Sequence, residues 1–235
     1  MLGQVIPELR KSHNTMPLGA RGFTLIEMIG VLAVVAVLAA MVLPKVFDVI
    51  AESKVNALAA SVKAYETAVT KYYGDIGSVM PLNATGIPTV EATGDSATAT
   101  SLAARLTLSR SDALVTAAGL WPKFRGPYLE KFDSASPAAL GTAMYIPCVA
   151  AVAYGTAVTA TNVGWDLKGD DGNSDLTTGT YVVYYHLTDI GIENFERLDA
   201  IIDRDIGTTS AMKQLRGRAK YDTATDDLYL YIAHR

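Results

Sequence analysis

The sequence predicts an α+β fold, one long N-terminal helix followed by a domain that closes with an antiparallel sheet. Three observations predict it. An apolar run from Phe23 to Leu43 passes across Pro44 into a stripe of apolar residues spaced three and four apart. From Ala143 onward the apolar segments become β-branched or aromatic and are punctuated by glycine. Near the end, Gly217 to Tyr221 and Leu228 to Ile232 alternate around Asp222 to Asp227, as the arms of a hairpin do.

The apolar run comes first. Phe23 to Leu43 is 21 residues, and Glu27 is its only ionisable side chain. As an α-helix it is about 31 Å long, close to the ~30 Å hydrocarbon core of a bilayer. A carboxylate inside such a run costs on the order of a few kcal/mol, and no Lys, Arg or His elsewhere in the run offsets it. Glu27 therefore calls for a cationic partner from outside the span. Arg10, Lys11 and Arg21 precede the run, while Lys45 and Lys54 follow it, a modest bias that favours a cytoplasmic N-terminus. Residues 1–22 contain Pro7 and Pro17 and lack the apolar core of a secretory signal peptide.

Gly22-Phe23-Thr24-Leu25-Ile26-Glu27, preceded by Arg21 and followed by a full span, resembles the processing site of type IV prepilins and type II secretion pseudopilins. The resemblance implies cleavage between Gly22 and Phe23 by a prepilin peptidase, and N-methylation of Phe23. It also implies that Glu27 pairs with the N-terminal amine of a neighbouring subunit during assembly, which would supply the missing cation. The expected partners are copies of the chain, other pilins or pseudopilins, the peptidase and an inner-membrane assembly platform. The expected location is the bacterial inner membrane, single-pass with the domain in the periplasm, and then a periplasmic pseudopilus or a surface pilus. The chain would divide into a leader (1–22), a membrane and assembly helix (23–46), its amphipathic continuation (47–77) and a globular domain (78–235). Pro44 then either kinks the helix, as prolines at this point in the family do, or marks where it leaves the membrane.

Beyond the span, Val55, Leu58, Val62, Tyr65, Val69 and Tyr72 form one apolar stripe, with Glu52, Lys63, Glu66 and Lys71 on other faces. Gly74-Asp75-Ile76-Gly77 supplies a stop after Tyr73. Pro81 to Ser101 reads as a surface loop, in which Asn83-Ala84-Thr85 fits the N-glycosylation pattern or an ordinary turn. Leu102, Leu106 and Leu114 suggest short helical pieces. Gly126-Pro127-Tyr128-Leu129 is similar to a segment in some pilins between helix and sheet, and also reads as a turn anchored by Trp121 and Tyr128. Strands are expected at Met144–Tyr154, Ala157–Val163 and Thr180–Leu187. A helix is expected at Asn194–Asp205, with Phe195, Leu198, Ile201 and Ile202 inward. This order agrees with the pilin-like fold.

Arg10, Lys11 and Arg21 against Glu8 give the first 22 residues +2, leaving −6 for the rest of a chain of net charge −4. An acidic body argues against a nucleic-acid partner. Asp166, Asp170, Asp171, Asn173 and Asp175 crowd around Gly169 and Gly172, hard oxygen donors of the kind that suit calcium. Leu176 and Val182 stand where an EF-hand requires glycine and glutamate, so the segment is either another kind of calcium loop or a turn whose carboxylates cap their own backbone. Cys148 is the single cysteine, which excludes an intrachain disulfide and reads as a small core residue. No nucleophile–base pattern, phosphate loop or zinc spacing appears, so no enzyme is expected. The other class the sequence admits is a membrane-anchored periplasmic binding protein, for which a carboxylate at Glu27 would bring no gain.

Overall fold

A computed structural model describes residues 22–92, 94–95, 98–112, 119–132, 134, 140–150, 164–170, 174–177, 179–207 and 209–235. Residues 1–21 of the leader, Leu114, the expected strand Ala157–Val163 and the end of the expected strand Met144–Tyr154 lie outside the described residues. By its internal contacts the chain falls into two units, divided between Phe47 and Asp48. The order is a long N-terminal helix followed by a C-terminal antiparallel sheet of five strands, the α+β, pilin-like layout expected.

The first unit holds the start of α1, the helix Leu25–Ile76. Thr24 is the residue before it, and Glu27 is its third residue. Thr24 N and Thr24 Oγ1 donate to Glu27 Oε2 at 2.8 and 2.9 Å, and Glu27 N donates to Thr24 Oγ1 at 3.3 Å. This is a reciprocal capping box, which satisfies backbone N–H groups that the first turn cannot pair. The apolar side chains that follow are all exposed, Leu32 and Met41 among them. By length and composition α1 can cross a membrane.

In the second unit α1 buries one stripe: Val55, Leu58, Val62, Tyr65, Ala68, Val69, Tyr72 and Ile76. The expected stripe is borne out, and the helix runs three residues past Tyr73. It ends where Gly77 turns to φ +76° while its N–H still donates to Tyr73 O at 2.7 Å, a left-handed cap that glycine takes without a Cβ penalty.

The sheet is built from β1 (Met144–Tyr145), β2 (Cys148–Ala150), β3 (Tyr181–Leu187), β4 (Ala219–Asp222) and β5 (Asp227–His234). Its order is β1-β3-β5-β4, with β2 also on β3, and every pairing is antiparallel. Tyr185 and Ala219 both lie opposite Leu230, which fixes the register of β3, β5 and β4. The expected continuous strand from Met144 is interrupted at Ile146-Pro147, where proline lacks a ladder N–H. The hairpin is borne out, but not with one face in solvent. All four residues of β4 are buried. Val183, Tyr185, Leu187, Leu228 and Leu230 face the α1 stripe. The opposite set, Val182, Tyr184 and Tyr229, packs under Trp165 with Leu167 and Leu176. Period two is kept. The outer face is covered because the segment after Gly164 folds over it.

Three further departures have local causes. Pro81–Ser101 is not wholly a surface loop, since Leu82 and Ser101 are fully buried and Glu91 pairs with Cys148. α2 (Leu102–Thr107) begins there, capped by Ser101 Oγ, which accepts from Ala104 N. α3 spans Ile192–Ile202, and its inner face is Phe195, Leu198, Asp199 and Ile202, the i, i+3, i+4, i+7 set. Ile201 falls outside that set and is exposed. α4 (Ser210–Leu215) was not expected; Thr209 caps it, accepting from Met212 N at 3.3 Å. Trp121 and Phe124 are fully buried and Tyr128 packs beside them, as the anchored turn requires.

Candidate functional site

Two places carry the residues the sequence singled out, and a third emerges from the structure. At the first, Gly22 and Phe23 stand just before the capping box. A Cβ built on Gly22 would meet nothing within 4 Å, so nothing in the described chain demands glycine there. Phe23 is exposed. The Thr24–Glu27 box is a feature that the reading of Glu27 as a lone charge missed; its signal is the Thr-x-x-Glu spacing itself. All three hydrogen bonds of the box leave Glu27 Oε1 out, and with it acceptor capacity for a second donor. Pro44 lies inside α1, where it deprives the Ala40 carbonyl of its donor, and the helix continues to both sides of it.

The second place is the acidic segment. Asp166 is fully buried and its Oδ1 accepts from Gly169 N at 2.7 Å and Asp170 N at 3.3 Å. Its other oxygen faces Arg216 Nε at 3.7 Å. Asp175 accepts from Lys168 N at 2.9 Å and pairs with Lys168 Nζ at 2.5 Å. The Lys168 hydrogen bonds hold the Asp175 carboxyl below its ordinary range. Asp171 and Asn173 lie outside the described residues. Among the described residues no three His, Cys, Asp or Glu side chains gather as a metal would require. The donors of Asp166 and Asp175 are backbone N–H groups and cations, which hold a turn rather than leave oxygens free for an ion.

The third place was not legible in the sequence. Lys220, on β4, is buried under Trp165, its Nζ 5.4 Å from the indole centroid. Nζ donates to Gly164 O. Burial pushes the ammonium pKa down to about 8, against the pull of Asp166 in the other direction. Across the sheet edge, Asp203 Oδ2 accepts from Arg218 N at 2.6 Å and Ala219 N at 2.7 Å, and burial raises its pKa despite both bonds. Arg218 in turn pairs with Glu66 of α1. Cys148 is buried, and desolvation, aided by Glu91, pushes its thiol up to about 12, as for an inert core residue.

Two larger open clefts lie among the described residues. One of about 450 Å³ is lined by Glu52, Asn56, Arg197 and Ile201. The other, of about 480 Å³, is lined by Gly77, Pro88, Leu120, Tyr181 and Arg235. Neither brings together a nucleophile and a base.

Residues 18–43 match the family model described as the prokaryotic N-terminal methylation motif. This stretch is the prepilin signature of type IV pilins and pseudopilins, and it contains Gly22, Phe23 and Glu27. No curated protein and no solved structure matches the chain.

Proposed function

We propose that the chain is a structural subunit of a type IV pilus-like filament or a type II secretion pseudopilus, cleaved between Gly22 and Phe23, N-methylated on Phe23, and assembled through α1. The observation that carries this is the methylation motif lying at the start of an apolar stretch of α1, residues 25–47, whose side chains are all exposed, with a folded domain beyond it. An exposed apolar helix of this length needs a bilayer or the helices of other subunits around it. The residues supply binding and register rather than bond-making chemistry, so the role is structural.

Cleavage exposes an amine at Phe23. Beside Glu27 of a neighbouring subunit, that amine forms a charge-assisted hydrogen bond in a low-dielectric setting. The capping box presents the carboxylate for this, since Thr24 engages Oε2 and Oε1 still has lone pairs. Phe23 and Glu27 lie one helical turn apart, about 6 Å along the axis, so pairing between subunits demands a fixed axial stagger.

The test compares wild type and Glu27→Ala for leader removal, by intact mass, and for sheared filament yield. The expected result is a mature N-terminus at Phe23 in both, with filaments lost in the variant. A mature N-terminus near Ala40, or normal filaments from processed Glu27→Ala, overturns the assignment.

A further inference from the structure

The filament reading leaves the Asn83-Ala84-Thr85 tripeptide unused. The segment folds as a tight turn closed by Asn83 N donating to Ile87 O at 2.9 Å and Gly86 N donating to Asn83 O at 3.0 Å. Its base is tied to the core. Trp121 Nε1 donates to Asn83 O at 3.1 Å, Leu120 N donates to Gly86 O at 3.0 Å, and Leu82 beside it is fully buried. Ala84 and Thr85 at the tip are exposed and Asn83 is partly so. The turn therefore presents its side chains from a fixed platform.

The Asn83 amide is oriented by its neighbours. Oδ1 accepts from Thr85 N at 3.0 Å, Thr85 Oγ1 at 2.8 Å and Ile87 N at 3.0 Å. Two of these donors are backbone N–H groups, which cannot accept, so the oxygen must face the turn and the nitrogen must face away. Nδ2 has no hydrogen-bond partner among the described residues. Asn-x-Thr is the acceptor pattern for N-glycosylation. Here both parts of the pattern sit at one surface turn, with the threonine hydroxyl on the amide oxygen.

We infer that Asn83 Nδ2 is a glycosylation acceptor that takes a sugar from a lipid-linked diphosphate donor. This rests on the filament reading, which puts the domain on the exported side of the membrane. An amide nitrogen is a poor nucleophile because its lone pair is delocalised into the carbonyl. As a base of the transferase takes the Nδ2 proton, charge builds on Oδ1, where three donors already point. Nδ2 attacks the anomeric carbon, the carbon–nitrogen bond forms, and the bond from that carbon to the diphosphate oxygen breaks. The lipid diphosphate leaves with the electron pair. A glycan at this turn has an apolar surface to cover: Ile87 and Val90 are 56% and 53% exposed.

The test uses the full chain purified from the cells that make it, read by intact and peptide mass spectrometry. The peptide holding Asn83 should be heavier by whole hexose or N-acetylhexosamine masses. Thr85→Ser keeps the hydroxyl and should keep the adduct; Thr85→Ala and Asn83→Gln should each lower occupancy at least tenfold. Thr85→Ala retains both backbone donors to Oδ1, so an unchanged melting temperature separates lost modification from lost folding. An unmodified Asn83 in protein that starts at Phe23 overturns the inference and leaves the filament reading standing. A retained leader with bare Asn83 overturns both, and a glycan that persists in Asn83→Gln places the sugar elsewhere and overturns the inference alone.

Discussion

Lys220→Met is the sharpest test of how the domain is assembled. An unfolded lysine titrates near 10.5, and burial under Trp165 brings Lys220 down to about 8. Below pH 8 the folded state thus holds an ammonium that water would stabilise better. The sign follows from proton counts. Between pH 8 and 10.5 the unfolded chain binds the proton more often than the folded one, so stability rises with pH in that window. The full difference, about 2.5 pH units at 1.36 kcal/mol each, is on the order of 3 kcal/mol; about 2 kcal/mol of it is recovered between pH 7 and 10. Methionine fills a similar volume without the charge and removes the slope. It also forfeits the bond to Gly164 O, so stability at pH 7 is the less decisive number. Buried tyrosines act oppositely. Burial pushes Tyr184 up to about 12 and raises Tyr185 and Tyr229 as well, so they lower stability only above about pH 10. The assay is urea unfolding of the detergent-solubilised chain at pH 7, 8, 9 and 10, followed by the fluorescence of Trp121 and Trp165. The wild type should gain about 2 kcal/mol relative to Lys220→Met over that range. Parallel curves for the two proteins refute the reasoning.

Two further outcomes are expected. Gly217→Ala should destabilise the domain by about 2 kcal/mol or more in the same denaturation assay, because φ is +84° and a Cβ would stand 2.5 Å from Asp203 Oδ2, where Arg218 and Ala219 are held; a variant as stable as wild type would show that Asp203 is not seated there. Calcium binding by the segment from Asp166 to Asp175 would raise the melting temperature in proportion to added ion and reverse with a chelator, through preferential binding to the folded state. A melting curve unchanged by millimolar calcium leaves the loop held by the Lys168–Asp175 pair and the hydrogen bonds of Asp166 alone.

Sequence by itself determined what depends on near neighbours. The α1 stripe from Val55 to Tyr72 is visible because residues three and four apart share a helix face. The Gly22–Glu27 motif is visible because it is contiguous, and the β4–β5 hairpin because its two arms flank a short turn. The inward position of Asp199 was also legible, since it completes the i, i+3, i+4, i+7 face of α3, and was overlooked in favour of Ile201 for its hydrophobicity. Only the tertiary structure decided which surfaces meet. Lys220 reads as a solvent-facing strand residue until the segment at Gly164 and Trp165 closes over the outer face of the sheet, 56 residues away along the chain. Glu66 and Arg218 are 152 positions apart, and Asn83 and Trp121 are 38 apart. No local period encodes such pairs. They follow from strand register and from how the chain crosses over its own sheet, and the burial that shifts the Lys220 pKa exists only once those crossings are made.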